Sequence, residues 1–100
     1  MNRLYGLIGF PLGHSFSARY FTEKFQRENL SGYEYRNFPL ESIRELPAML
    51  ENHPGLLGFN VTIPYKQEVI PYLTALSAEA REIGAVNCVK ITPQGLYGHN

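Results

Sequence analysis

The sequence predicts an α/β fold: a mostly parallel sheet with helices on both faces (three layers, α/β/α) and one late antiparallel hairpin. Three observations carry this. Apolar or alternating runs take turns with segments of helical spacing in the order β-α-β-α-β-α-α-β-β, and such alternation implies parallel strands joined by crossover helices. The first run, residues 4–9, is apolar almost throughout, as a strand covered on both faces must be. The last two runs are separated only by Thr92-Pro93-Gln94-Gly95, a turn too short for a crossover.

Residues 4–9 form the first strand, and a loop carrying Gly9, Pro11 and Gly13 follows. Ala18, Phe21 and Phe25 then recur at helical spacing among Arg19, Glu23, Lys24 and Gln26, the pattern of a helix with one buried face. Residues 29–32 stop that helix. Tyr33-Glu34-Tyr35-Arg36-Asn37-Phe38 alternates aromatic with polar side chains, which suits a half-buried strand at or near a sheet edge. In residues 41–52, Ile43, Leu46 and Leu50 share one side, and Pro47 divides the segment into a short turn and a helix that holds it in its first turn. His53-Pro54-Gly55 breaks the chain, and residues 56–61 read as a third strand.

Pro64 suits the first turn of a helix over residues 65–70, which ends before Pro71. Ser77 is placed to cap a helix over residues 78–83, with Gly84 at the left-handed position that ends it. Residues 85–91 and 96–100 make the hairpin. No repeat, low-complexity tract or linker interrupts the 100 residues, which suffice for one domain with its own core but not for a complete two-domain cofactor enzyme.

Charge and composition exclude several classes. Nine Lys and Arg balance nine Asp and Glu, so no net field favours nucleic acid or an anionic membrane. One cysteine excludes a disulfide framework and a cysteine-rich zinc site, and His14, His53, His99 and Cys88 lack metal-ligand spacing. Cys88 reads as a small core hydrophobe. Residues 1–11 hold a short apolar run with two glycines, ended by a proline, which reads as a strand and not as a signal peptide. No stretch approaches the ~20 apolar residues of a membrane span, so the expected setting is cytoplasmic. In that setting the match of Asn60-Val61-Thr62 to a glycosylation sequence is accidental. The Tyr and Phe residues read as packing, not as base-stacking platforms.

Ligands of parallel sheets bind beyond the carboxyl ends of the strands, and three polar clusters sit at such junctions. Ser15 and Ser17 offer two hydroxyls beside a helix start whose free N–H groups favour an anion such as a carboxylate. The plain alternative is that Ser17 caps the helix and Ser15 is loop. The spacing of Gly9 and Gly13 matches neither the dinucleotide fingerprint nor a phosphate loop. Asn60, Thr62 and Lys66 end the third strand and open the next helix, where they can converge on a polyol. A lysine at a helix N-terminus is opposed in its charged form by the helix dipole, and partial burial acts the same way, which makes Lys66 a candidate proton carrier. The alternative is a surface lysine on an amphipathic helix. Asn87 is a lone amide among apolar strand residues and needs a partner, either backbone or ligand.

Together, in order, the three clusters resemble the amino-terminal, substrate-binding domain of the shikimate dehydrogenase family. Pro11 to Ser17 follows that family's Pro-x-x-His-Ser-x-Ser loop, Asn60 to Lys66 its Asn-Val-Thr-x-Pro-aromatic-Lys motif, and Gly84 to Asn87 its Gly-Ala-Val-Asn motif. The resemblance spans essentially all of residues 1–100. It implies NADP-dependent interconversion of 3-dehydroshikimate and shikimate, in aromatic amino-acid and chorismate biosynthesis. It implies that Ser15 and Ser17 hold the substrate carboxylate, that Asn60, Thr62 and Asn87 contact ring hydroxyls, and that Lys66 is the catalytic lysine.

The family pairs that lysine with an aspartate in a Gly-x-Asn-Thr-Asp segment, of which Gly98-His99-Asn100 supplies the first three positions. The expectation is therefore a domain cut before the aspartate and before the NADP domain, inactive alone, with its cofactor-binding residues outside the chain and no metal. Ala18 stands where many relatives have proline, and Cys88 where threonine is usual. The expected partner is the small-molecule substrate, without nucleic acid or membrane, in a monomer or homodimer. The alternatives are a quinate/shikimate dehydrogenase domain, which can use NAD, and a non-catalytic hydroxy-acid-binding module.

Overall fold

In order along the chain come β1 (Arg3–Gly9), α1 (Phe16–Arg27), β2 (Tyr33–Pro39), α2 (Leu46–Asn52), β3 (Leu56–Val61), β4 (Ala75–Leu76), α3 (Ala78–Ile83), β5 (Cys88–Thr92) and β6 (Gly95–His99). The computed structural model describes residues 3–12, 16–28 and 32–100, and for residues 16–18 the backbone alone. The strands lie in the order β2-β1-β3-β5-β6-β4. β1 runs parallel to β2 and β3, and β4 parallel to β6; β5 runs antiparallel to β3 and β6. β2 forms an edge, as its alternating aromatic and polar residues predict.

Alternation along the strands sends side chains to two faces. On one face Leu4, Ile8, Phe38, Phe59, Val61 and Val89 pack with Leu46 and Met49 of α2 and Ala80 of α3. On the other, Leu7, Tyr35 and Leu12 lie under Phe21 and Phe25 of α1. The helices thus cover both faces, as the sequence predicts. The β1–β3 ladder contains one irregularity: Leu4 pairs with Leu56 but Tyr5 with Gly58, leaving Leu57 as an extra residue on β3.

Local chemistry sets the helix ends. Ser42 and Glu45 form a capping box over a 3₁₀ turn at Ile43–Glu45, and Pro47 sits in the first turn of α2. Ser77 Oγ accepts the Ala80 N–H at 3.1 Å. Gly84, at φ 78°, ends α3 in the left-handed conformation.

Three expectations differ from the structure. No α-helix covers residues 65–70: one helical bond, Val69 N–H to the Tyr65 carbonyl at 3.0 Å, is followed by a 3₁₀ turn at Ile70–Tyr72. Pro71 has no N–H to give the Gln67 carbonyl, which instead accepts the Ile70 N–H at 3.1 Å, so the tighter turn takes over. The apolar run 85–91 becomes a strand only from Cys88, because the Val86 N–H goes to the Lys66 carbonyl. Cys88 is exposed and not in the core: Val89 takes the core face, and its neighbour points to the opposite face, which α1 covers over β1 and β2 but not over β5. The two-residue β4 carries no pattern long enough to read.

Candidate functional site

The site forms where β1 and β3 end side by side. The Thr62 N–H donates to the Ile8 carbonyl at 3.0 Å, and the Phe10 N–H to the Ile63 carbonyl at 3.2 Å, so the two strand exits are pinned together. Gly9 permits this approach: a Cβ there would press on the Thr62 methyl and come within 3.0 Å of the Ile63 carbonyl oxygen. Thr62 is half-buried beside it.

Asn60 and Asn87 meet at this place. Asn60 Nδ2 lies 3.4 Å from the Asn87 carbonyl oxygen, which also accepts the Val61 N–H at 2.9 Å. The Asn87 N–H donates to the His99 carbonyl at 3.0 Å, and Asn100 Nδ2 to the Ala85 carbonyl at 3.1 Å. The backbone of Asn87 thus has its partners, while the residue itself is exposed and not enclosed among strand residues.

Lys66 is exposed, and its ammonium makes no ion pair with any described residue. With turns in place of a helix at residues 65–70, the helix-dipole argument for this lysine does not apply. Its backbone is nonetheless fixed on both sides. The Lys66 carbonyl accepts the Val86 N–H at 2.8 Å. The preceding Tyr65, buried at 4% exposure, donates its hydroxyl to the Leu40 carbonyl after β2. Burial, and then Glu68, Glu45 and Glu41, push the Tyr65 phenol up.

Ser15 lies outside the described residues. Ser17 stands in the first turn of α1, one residue past its start at Phe16, so it is not the cap residue; only its backbone is described. The structure therefore brings together Asn60, Thr62, Asn87 and the Lys66 segment, and places α1 directly after β1.

One residue escaped the sequence reading. The Tyr35 hydroxyl donates to Asn60 Oδ1 at 2.9 Å, and its ring stacks on Phe21 of α1 with centroids 4.8 Å apart. Aromatic alternation in β2 signals packing but carries no mark of a hydroxyl in use. Burial first, and then the nearby Cys88 thiol, push this phenol up to about 12. Burial also pushes the Cys88 thiol up, which keeps it protonated and weakly nucleophilic.

The β1–α1 connection brings Pro11, which has no N–H, and Leu12, which is buried and whose carbonyl already accepts from Asn37 Nδ2 at 3.3 Å. Among the described residues no group of His, Cys, Asp or Glu is placed to hold a metal ion, and no helix is long and apolar enough to cross a membrane.

Asn60 at the carboxyl end of the parallel strand β3, Thr62 and Lys66 just beyond it, and Asn87 at the amino end of the antiparallel β5 gather polar groups at one end of the sheet of an α/β domain. The family description "Shikimate dehydrogenase substrate binding domain" matches residues 7–89, and the chain belongs to that family. Two relatives, both named shikimate dehydrogenase (NADP(+)), are 42% identical in Clostridium beijerinckii and 38% identical in Staphylococcus haemolyticus; each match covers 96% of this chain and 36% of the relative. The chain thus spans about a third of the length of the curated relatives it matches, 36%. Shikimate 5-dehydrogenase from Listeria monocytogenes, solved with shikimate and NAD, superposes with a TM-score of 0.85 at 35% identity, over 98% of this chain and 34% of that one.

Proposed function

We propose that residues 1–100 are the substrate-binding domain of an NADP-dependent shikimate dehydrogenase, an oxidoreductase of the shikimate pathway, acting in the cytoplasm as a monomer or homodimer. The observation that carries this reading is the meeting of two motifs far apart in sequence: Asn60 Nδ2 lies 3.4 Å from the Asn87 carbonyl, and Lys66 is bonded through its carbonyl to Val86. The relatives' printed names and the shikimate in the Listeria structure supply the substrate class.

In this reading Ser15 and Ser17 hold the carboxylate with charge-assisted hydrogen bonds. Asn60, Thr62 and Asn87 contact ring hydroxyls, which can both give and accept a proton as amides and hydroxyls require. Lys66, which is exposed, moves the proton on the ring oxygen at the carbon being oxidised or reduced. The nicotinamide coenzyme supplies the hydride, and the NADP-binding domain is assigned to sequence outside residues 1–100, since the chain spans 36% of the relatives' length. This chain by itself is accordingly inactive. The NAD in the Listeria structure favours a second reading, an enzyme of the same substrate class, such as a quinate/shikimate dehydrogenase, that uses NAD.

Calorimetric titration of shikimate into the chain tests the reading. The Ser15→Ala/Ser17→Ala double variant loses affinity, with about 1.5–3 kcal/mol for each charge-assisted bond removed. Unchanged affinity in the double variant refutes the carboxylate assignment.

A further inference from the structure

We propose that Tyr35 is a positioning residue for Asn60: its hydroxyl locks the side-chain amide in one orientation and so decides which face of the amide a ligand meets. The inference rests on the reading of Asn60 as a ligand contact.

Hydrogen-bond logic fixes the orientation. The Asn87 carbonyl oxygen can only accept, so the Asn60 atom 3.4 Å from it is Nδ2. Oδ1 then faces Tyr35, and since Oδ1 has no proton, the phenol 2.9 Å away is the donor. This leaves one N–H of Nδ2 and one lone pair of Oδ1 for a ligand hydroxyl, a donor and an acceptor side by side.

Apart from the long 3.4 Å contact with the Asn87 carbonyl, the phenol is the one hydrogen-bond partner of this amide among the described residues. The terminal torsion of asparagine is broad and close to two-fold, so packing alone selects an orientation poorly. Asn60 also borders two open spaces, a cavity of about 300 Å³ under α1 and one of about 500 Å³ beside β5, and either leaves it room to turn. Tyr35, in contrast, is itself held. It is 7% exposed, packed with Leu7 and Leu12, and stacked on Phe21. Its phenol, with a pKa pushed up to about 12 by burial, keeps its proton at neutral pH.

The test combines shikimate titration with the side-chain NH₂ resonances of Asn60, in the wild-type chain, Tyr35→Phe, Asn60→Ala and the double variant. Tyr35→Phe keeps the ring stacked on Phe21 and removes only the donor. Expected are an about two- to tenfold weaker affinity, as the competent orientation falls to a fraction of the population, and a displaced NH₂ pair. In the Asn60→Ala background, adding Tyr35→Phe changes nothing further. An equal loss in that background means that Tyr35 acts through packing, and overturns the proposal. An unmoved NH₂ pair in Tyr35→Phe likewise overturns it. Unchanged affinity in Asn60→Ala, or no shikimate binding at all, overturns instead the assignment of Asn60 to the ligand on which the proposal stands.

Discussion

The backbone N–H of Val86 donates to the Lys66 carbonyl at 2.8 Å, which ties the lysine segment to the stretch that carries Asn87 into β5. The same Val86 side chain is fully buried in the larger core cluster. Placement of the lysine therefore depends on core packing as much as on its own turn. Val86→Ala is expected to lower stability by about 2 kcal/mol through lost burial and a partial cavity. In urea unfolding the midpoint falls at unchanged slope; an unshifted midpoint contradicts this account.

Tyr65→Phe removes the donor to the Leu40 carbonyl, which sits in a buried region after β2. A buried acceptor left without a partner destabilises by about 1–3 kcal/mol. Thermal unfolding of the variant is expected to show that loss, with near-native chemical shifts in α1, which Tyr65 does not touch. Wild-type stability would mean that water replaces the phenol.

Two glycines separate close packing from open space. A Cβ on Gly58 would come within 2.8 Å of the Val89 carbonyl oxygen on the neighbouring strand, backbone that cannot step aside. A Cβ on Gly55 meets nothing within 4 Å. Gly58→Ala is expected to lose about 1–3 kcal/mol, whereas Gly55→Ala changes stability by about 0.5 kcal/mol or less. Equal effects in chemical denaturation would show that the β3–β5 contact is softer than its geometry.

Alkaline pH selects the two tyrosines with raised pKa values. A phenol ordinarily titrates near 10, and burial lifts Tyr35 to about 12 and Tyr65 in the same direction. The folded state holds these protons more tightly than the unfolded state, so their contribution is complete below pH 10 and is lost as pH rises towards 12. Stability measured against pH is expected to fall across that window, and less steeply in Tyr35→Phe. A flat profile there would contradict it.

Most of the frame is legible from residue patterns with one local cause. The apolar run of β1, the split of residues 41–52 at Pro47 and the Ser77 and Gly84 ends of α3 each answer to a single chemical rule, and each lies where expected. The sequence is silent where two distant segments compete for the same backbone group. Tyr65 and Val69, four residues apart and both buried, imitate a helix, yet the absent N–H of Pro71 turns the chain into tighter bends. Residues 85–87 read as strand, and only the tertiary bond from Val86 to Lys66 delays β5 to Cys88. Within the site, the motif residues Asn60, Thr62, Lys66 and Asn87 stand out in the sequence because polar groups interrupt apolar runs. Tyr35 does not, since a tyrosine in an alternating strand looks the same whether its hydroxyl faces water or an amide.

The extra residue Leu57 acts on β3 as a frameshift acts on a message. With it, the odd-numbered Phe59 and Val61 join Leu56 on the core side, and Asn60 is handed to the side of Tyr35. Were Leu57 instead drawn into the ladder opposite Tyr5 while Leu4 and Leu56 stay paired, the parity of everything downstream would invert relative to β1: the amide would be driven into the oily layer and Phe59 turned to the side of Tyr35. The polarity of this end of the sheet is therefore written as much in the register of the ladder as in the identities of its residues.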